Sequence, residues 1–163
     1  MKQITPEQAL QRLQKLCSVC EKCAYDVRQK LTEYKIDAAQ SAEILQNLQA
    51  SGFIDDSRFA RAFVATKHKI YKWGKQKIEY QLHVKQVSDE IISTALNEID
   101  DEQNNEIIAA ELTKKLKTTK AKSQQELVAK LLKFALSRGY DYSVSYDLVM
   151  RMVKEKQDEY PCD

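Results

Sequence analysis

Apolar positions along the chain fall into one recurring frame. Val27, Leu31, Ile36, Leu45 and Leu48 are followed 51 residues later by Ile78, Leu82, Val87, Leu96 and Ile99. After a further 53 residues come Leu131, Ala135, Tyr140, Val149 and Met152. The first two positions of each set are one helical turn apart and share a face. The third closes that helix, and the last two lie on the next one. The residue after the third position is Asp37, Ser88 or Asp141. Each has a short side chain whose oxygen can accept a free N–H at a helix start, and removing such a cap costs about 1 kcal/mol. The residue before the third position is Lys35, Gln86 or Gly139. A helix often stops there with positive φ, which favours Gly. The first two helices therefore either carry strain at Lys35 and Gln86 or end differently.

Each set has a further helix upstream. In "TPEQALQRLQKLC", Thr5 is the cap, Pro6 takes the first helical position and Gln8 completes a capping box. Its apolar stripe is Ala9, Leu10, Leu13 and Leu16. In "DDSRFARAFVATKHKI" the stripe is Phe59, Ala62, Phe63, Thr66 and Ile70. In "NNEIIAAELTKKL" it is Ile107, Ile108, Leu112 and Leu116. The pattern predicts an all-α chain of three tandem three-helix repeats, residues 1–54, 55–102 and 103–163, with Gly52–Ile54 closing the first. Three helices of roughly 50 residues bury little core alone, so contacts between neighbouring repeats are expected to add stability.

Composition supports helix: only 3 Gly and 2 Pro occur among 163 residues, and 31% are charged. The net charge of +2 hides segregation. Residues 57–85 hold 8 basic side chains and 1 acidic, 86–111 hold 8 acidic and none basic, and 112–138 hold 8 basic and 1 acidic. Positive surface at two places suits a polyanion or an acidic protein. The N-terminus lacks the apolar run of a signal peptide and no 18-residue apolar stretch exists, so a cytoplasmic protein without a membrane span is expected. Its four cysteines are then expected to be reduced thiols.

Adjacent Asp55 and Asp56 suggest a metal site at first sight. Neighbouring carboxylates on one backbone diverge, however, and the next charged residues are Arg58 and Arg61. The better reading is that one aspartate caps the helix through Phe59 and Phe63, with its charge on the positive helix end. The other is left to pair with Arg58 or a neighbouring repeat. The basic run Arg58, Arg61, Lys67, Lys69, Lys72, Lys75, Lys77 and Lys85 forgoes the alternating signs that stabilise a solvated helix, and so reads as a polyanion-binding face. A second run, among it Lys114, Lys115 and Lys130 with Arg138 at its end, serves either non-specific phosphate contact or solubility. Its "KTTKAKS" segment reads as a loop or a frayed helix end. Trp73, among lysines, either stacks on an unpaired base or packs into the core.

"CSVCEKC" spaces Cys17, Cys20 and Cys23 like a zinc knuckle, but a fourth ligand is missing nearby, and Cys162 lies in the tail. Cys17 and Cys20 continue the first helix's apolar stripe, so no metal is expected. His68 and His83, with no nucleophile beside them, suggest no catalytic pair. The chain has no phosphate-binding Gly loop and no cofactor is expected.

The string "GFIDDSRFARAF", followed by "WGKQKIEYQL" and "SDEIISTAL", resembles the RecX family. The matching positions are Gly52, Phe53, Ile54, Asp55, Asp56, Arg58, Phe59, Ala60, Ala62 and Phe63, then Gly74, Ile78, Leu82 and Ala95–Leu96. "KFALSRGYDYSV" is similar to that family's final repeat, and "YDVRQKL" matches more weakly. The departures are Lys35 and Gln86, where the family usually has Gly. The resemblance implies winged-helix-like units without wings, set in a curved elongated array. It also implies a non-enzymatic role: binding the RecA recombinase and its filament on single-stranded DNA, and mainly restraining filament growth. The basic residues named above and Trp73 are then candidates for contact with RecA or DNA phosphates. Two other readings stay open, a helix-turn-helix transcription factor and a protein-only helical adaptor. The acidic "SDEIISTALNEIDDE" has the wrong sign for a recognition helix in a major groove.

Overall fold

A computed structural model describes residues 4–159; Cys162 and the rest of the tail lie outside them. The described residues form nine α-helices and no strand. They are α1 (Pro6–Val19), α2 (Ala24–Glu33), α3 (Ala38–Ala50), α4 (Asp56–Lys69), α5 (Lys75–Val84), α6 (Asp89–Leu96), α7 (Asp101–Thr118), α8 (Gln124–Ser137) and α9 (Tyr142–Glu159).

The recurring frame has one backbone cause. Lys35, Gln86 and Gly139 all adopt positive φ, at 58°, 56° and 81°. In each case the next amide reaches back five residues: Ile36 N–H to Leu31 O, Val87 N–H to Leu82 O and Tyr140 N–H to Ala135 O, at 3.0–3.1 Å. This is the Schellman closure, and the two residues it ties together are the second and third positions of the frame. The apolar spacing follows from that hydrogen bond. The helices at Lys35 and Gln86 thus end as the one at Gly139 does, each holding a side chain where Gly is preferred, at a cost of about 1 kcal/mol. The caps also match. Asp37 accepts from Gln40 N at 2.8 Å, Ser88 from Ile91 N at 3.4 Å and Asp141 from Val144 N at 3.0 Å. Thr5 and Gln8 form the expected reciprocal pair.

Packing separates two compact units. One runs up to Phe63 and resumes over Gln81–Ala95. The other comprises Val64–Tyr80 and the described residues from Leu96 onward. The first has a core of α1–α3 side chains, including Leu13, Val27, Leu31, Ile44 and Leu48, sealed by Ile54. The second centres on Ile108, Leu112, Leu131, Tyr140 and Val149 from α7, α8 and the segment into α9.

Several expectations need correction. The buried face of α4 is Phe59, Ala60, Val64 and His68, whereas Ala62 and Thr66 are exposed, Phe63 is half-buried and Ile70 is 71% exposed. The stripe is rotated by about one residue, because two adjacent apolar rows compete on this helix and the inner one ends in a histidine. Ile99 is buried but lies beyond the end of α6. Cys17 is buried as expected, yet Cys20 is exposed, since α1 stops at Val19 and Cys20 leaves in an extended conformation. Residues 101 and 102 already belong to α7, which is capped by Asp100.

Candidate nucleic-acid interface

The segment joining α4 to α5 is built around two glycines 65 residues apart in sequence. Gly74 N–H donates to Arg138 O at 2.7 Å, and Gln76 N–H donates to Gly139 O at 3.2 Å. A Cβ on Gly74 would lie 2.1 Å from Gly139 O, and one on Gly139 would lie 2.3 Å from Lys77 Cβ. Only hydrogen fits at either place. The buried Tyr140 adds a third tie, its hydroxyl donating to Lys72 O at 2.6 Å. Burial, and secondarily the charge of Glu111, pushes this phenol up to about 12, so it stays a donor at neutral pH. Lys72, at φ 59°, turns the chain out of α4.

This clasp sets out an aromatic pair surrounded by cations. The rings of Tyr71 and Trp73 lie 6.5 Å apart. Lys67 Nζ stands 4.3 Å from the Tyr71 ring centre and 4.7 Å from that of Trp73, and Lys77 Nζ stands 4.4 Å from Trp73. Trp73 is half-buried, while Tyr71 is 52% exposed. Arg138 connects this cluster to a second one. Its Nη1 donates to Tyr71 O at 3.2 Å, and its guanidinium lies 5.3 Å from the ring centre of Phe134. Lys115 Nζ stands at the same distance from Phe134. Cations held over π faces stay hydrated on their outer side and can still meet phosphates.

The remaining candidates divide by partner. Arg58 is bound into the fold: its Nε donates to Glu21 at 2.7 Å and its Nη2 to Gly52 O at 3.0 Å. Asp55 caps α4 through Arg58 N at 3.0 Å, and Asp56 accepts from Ala24 N at 2.9 Å, which caps α2 instead. Both aspartates therefore serve helix starts. Lys85 pairs with Asp26 at 2.6 Å, Lys75 with Asp101 at 2.7 Å, Lys130 with Glu126 at 2.9 Å and Lys114 with Glu111 at 3.4 Å. Arg61 and Lys69 are exposed. Of the thirteen candidates, Lys67, Lys72, Trp73, Lys77 and Arg138 share one locality built on the glycine clasp, while Lys115 stands over Phe134 on the far side of Arg138.

Phe134, the aromatic of the "KFALSRGYDYSV" resemblance, was not among the candidate contact residues, though it lies four residues before Arg138 and so on the same helix face. Among the described residues, no group of three His, Cys, Asp or Glu side chains could hold a metal ion, and no helix is long and apolar enough to cross a membrane. Burial pushes the Cys23 thiol up to about 11, which favours a packing role over thiolate chemistry.

Residues 55–96 match the model of the second three-helix domain of RecX. The regulatory protein RecX of Amycolatopsis mediterranei is 23% identical over 157 residues, covering 94% of this chain and 90% of that protein. The regulatory protein RecX of Leuconostoc mesenteroides is 28% identical over 133 residues; the match covers 82% of this chain but only half of the relative's length. The crystal structure of RecX from Lactobacillus salivarius superposes with a TM-score of 0.77 at 20% identity, over 91% of this chain and 96% of that one.

Proposed function

We propose, from the premise that this chain belongs to the RecX family of regulatory proteins, that it regulates the RecA recombinase without chemistry of its own. It binds RecA and its filament on single-stranded DNA and mainly inhibits filament growth. Regulation acts through occupancy: a bound helical body disfavours addition of the next RecA subunit or alters its ATP turnover. The observation that carries the nucleic-acid side of this reading is the cation-flanked Tyr71–Trp73 pair on the Gly74–Gly139 clasp. Ammonium groups over aromatic rings suit phosphates and unpaired bases of any sequence. The acids on α6, Asp89 and Glu90, disfavour the alternative of reading a duplex major groove.

The test combines three measurements: binding to RecA-coated single strands, binding to bare strands and duplex, and RecA's DNA-dependent ATPase. If about four of these cations meet phosphates of a single strand, log K falls with log salt at a slope near −3. A flat salt response removes DNA contact from the mechanism and favours a protein-only adaptor. Absence of RecA binding, with ATPase and filament length unchanged, refutes the proposal.

A further inference from the structure

The groove between α7 and α8 is distinct from the Trp73 cluster and holds a second, differently built set of groups. It measures about 420 Å³ and is lined by Lys115, Lys120, Lys130, Lys133, Phe134 and the hydroxyl residues Thr118, Thr119 and Ser137. That volume is in the range of small-ligand sites. We propose that this groove binds one unpaired nucleotide of a single-stranded nucleic acid, its base on the Phe134 ring and its phosphate among Lys115, Lys120 and Lys133. The proposal extends the nucleic-acid side of the reading above, but requires no RecA.

Three observations carry it. First, charge is available. Lys130 is engaged by Glu126 and by Lys120 O, whereas the ammonium groups of Lys120 and Lys133 have no acidic partner among the described residues. Second, an aromatic lines the groove. The Phe134 ring is half-buried, with Lys115 and Arg138 each 5.3 Å from its centre. A base on that ring takes the place of one of these long side chains and frees its charge for the phosphate. Stacking on an aromatic is available to every base. Third, the polar lining lacks a code. Thr118 and Thr119 both donate to Lys115 O, and Ser137 donates to Phe134 O, so their protons are already committed. What remains for a ligand is flexible ammonium donors, which hold phosphates well and discriminate base edges poorly.

An acidic peptide would also meet the lysines, but it would leave the ring without a role. The distinguishing experiment measures anisotropy of a short fluorescein-labelled oligo-dT with the full-length protein and no RecA. It is repeated with an abasic strand of equal length and with poly-glutamate as competitor. The dT strand is expected to bind more tightly than the abasic one by roughly 5- to 150-fold, the value of one stacked base. Phe134→Leu, which keeps the apolar fill, should remove most of that difference and leave the salt dependence unchanged. Lys120→Ala with Lys133→Ala should lower the slope of log K against log salt by about 1.4. Equal affinity for dT and abasic strands in the unaltered protein overturns the proposal, even if Phe134→Leu fails to fold. So does poly-glutamate competing as well as dT. Because RecA is absent, failure here leaves the RecA reading standing, and failure of RecA binding leaves this groove standing.

Discussion

Replacing Gly74 by Ala tests whether the Gly74–Gly139 contact organises the candidate interface. The added Cβ would sit 2.1 Å from Gly139 O, 2.3 Å from Gly139 C and 2.6 Å from Tyr140 N. All three are backbone atoms, so no side chain can rotate away. The two segments must separate by more than 1 Å, which breaks or stretches the Gly74–Arg138 and Gln76–Gly139 hydrogen bonds. Two buried hydrogen bonds at about 0.5–1.5 kcal/mol each, plus about 1–3 kcal/mol for overpacking, give a loss of roughly 2–6 kcal/mol. Gly52 supplies the control. It has φ +76° and nothing within 4 Å of an added Cβ, so Gly52→Ala carries only the left-handed backbone cost of about 1–2 kcal/mol. Urea unfolding followed by circular dichroism measures both. The Trp73 emission, from the chain's single tryptophan, should shift in the Gly74 variant even where it stays folded. A Gly74→Ala protein as stable as the Gly52→Ala one, with unaltered Trp73 emission, would refute the reasoning.

Arg58→Ala is expected to cost about 1–2 kcal/mol, because its ion pair with Glu21 is partly solvated and its bonds to Gly52 O and Phe53 O are also lost. Arg61→Ala should change stability by less than about 0.5 kcal/mol, and chemical denaturation of the two single variants checks the order. His68 is buried, with Nε2 3.0 Å from Asn104 Oδ1. Burial, reinforced by Lys75, Lys72 and Lys69, holds its pKa below the ordinary 6.5, against the opposing pull of Asn104. Between 6.5 and the lower folded value the unfolded chain binds more protons, so stability is full above 6.5 and falls as pH drops through that window. His68→Gln should flatten this dependence in melts from pH 7.5 to 5; an unchanged slope would assign it to other groups.

The legible parts of the fold were those whose cause is local. The three Schellman closures and their Asp or Ser caps involve residues within six positions of one another, and they appear directly as the apolar frame. The α4 face was misjudged because Phe59, Ala60, Phe63 and Val64 offer two apolar rows, and the polar His68 disguised the buried one. Residue type alone also could not distinguish an arginine that binds ligand from one that binds fold. Arg58 meets Glu21, which lies 37 positions away. Gly74 stands before a helix in the manner of any cap; the reason nothing larger fits is Gly139, and that pairing exists only once the chain has folded. Phe134 was overlooked for a related reason. On α8 it resembles one more half-buried core residue, and its charged surround is complete only when Lys115 approaches from α7 to join Arg138.

The division into two compact units cuts α4 after Phe63 and α5 after Tyr80. The chain leaves the first unit midway along one helix and returns midway along the next. No single scission can therefore release either unit intact. A fragment stopping at residue 63 lacks the Gln81–Ala95 return, and a fragment of residues 55–96, though it matches a single domain model, holds pieces of both bodies. The chain is thus expected to melt and to resist proteolysis along lines other than the boundaries of residues 55–96, because α4 and α5 each contribute residues to both units.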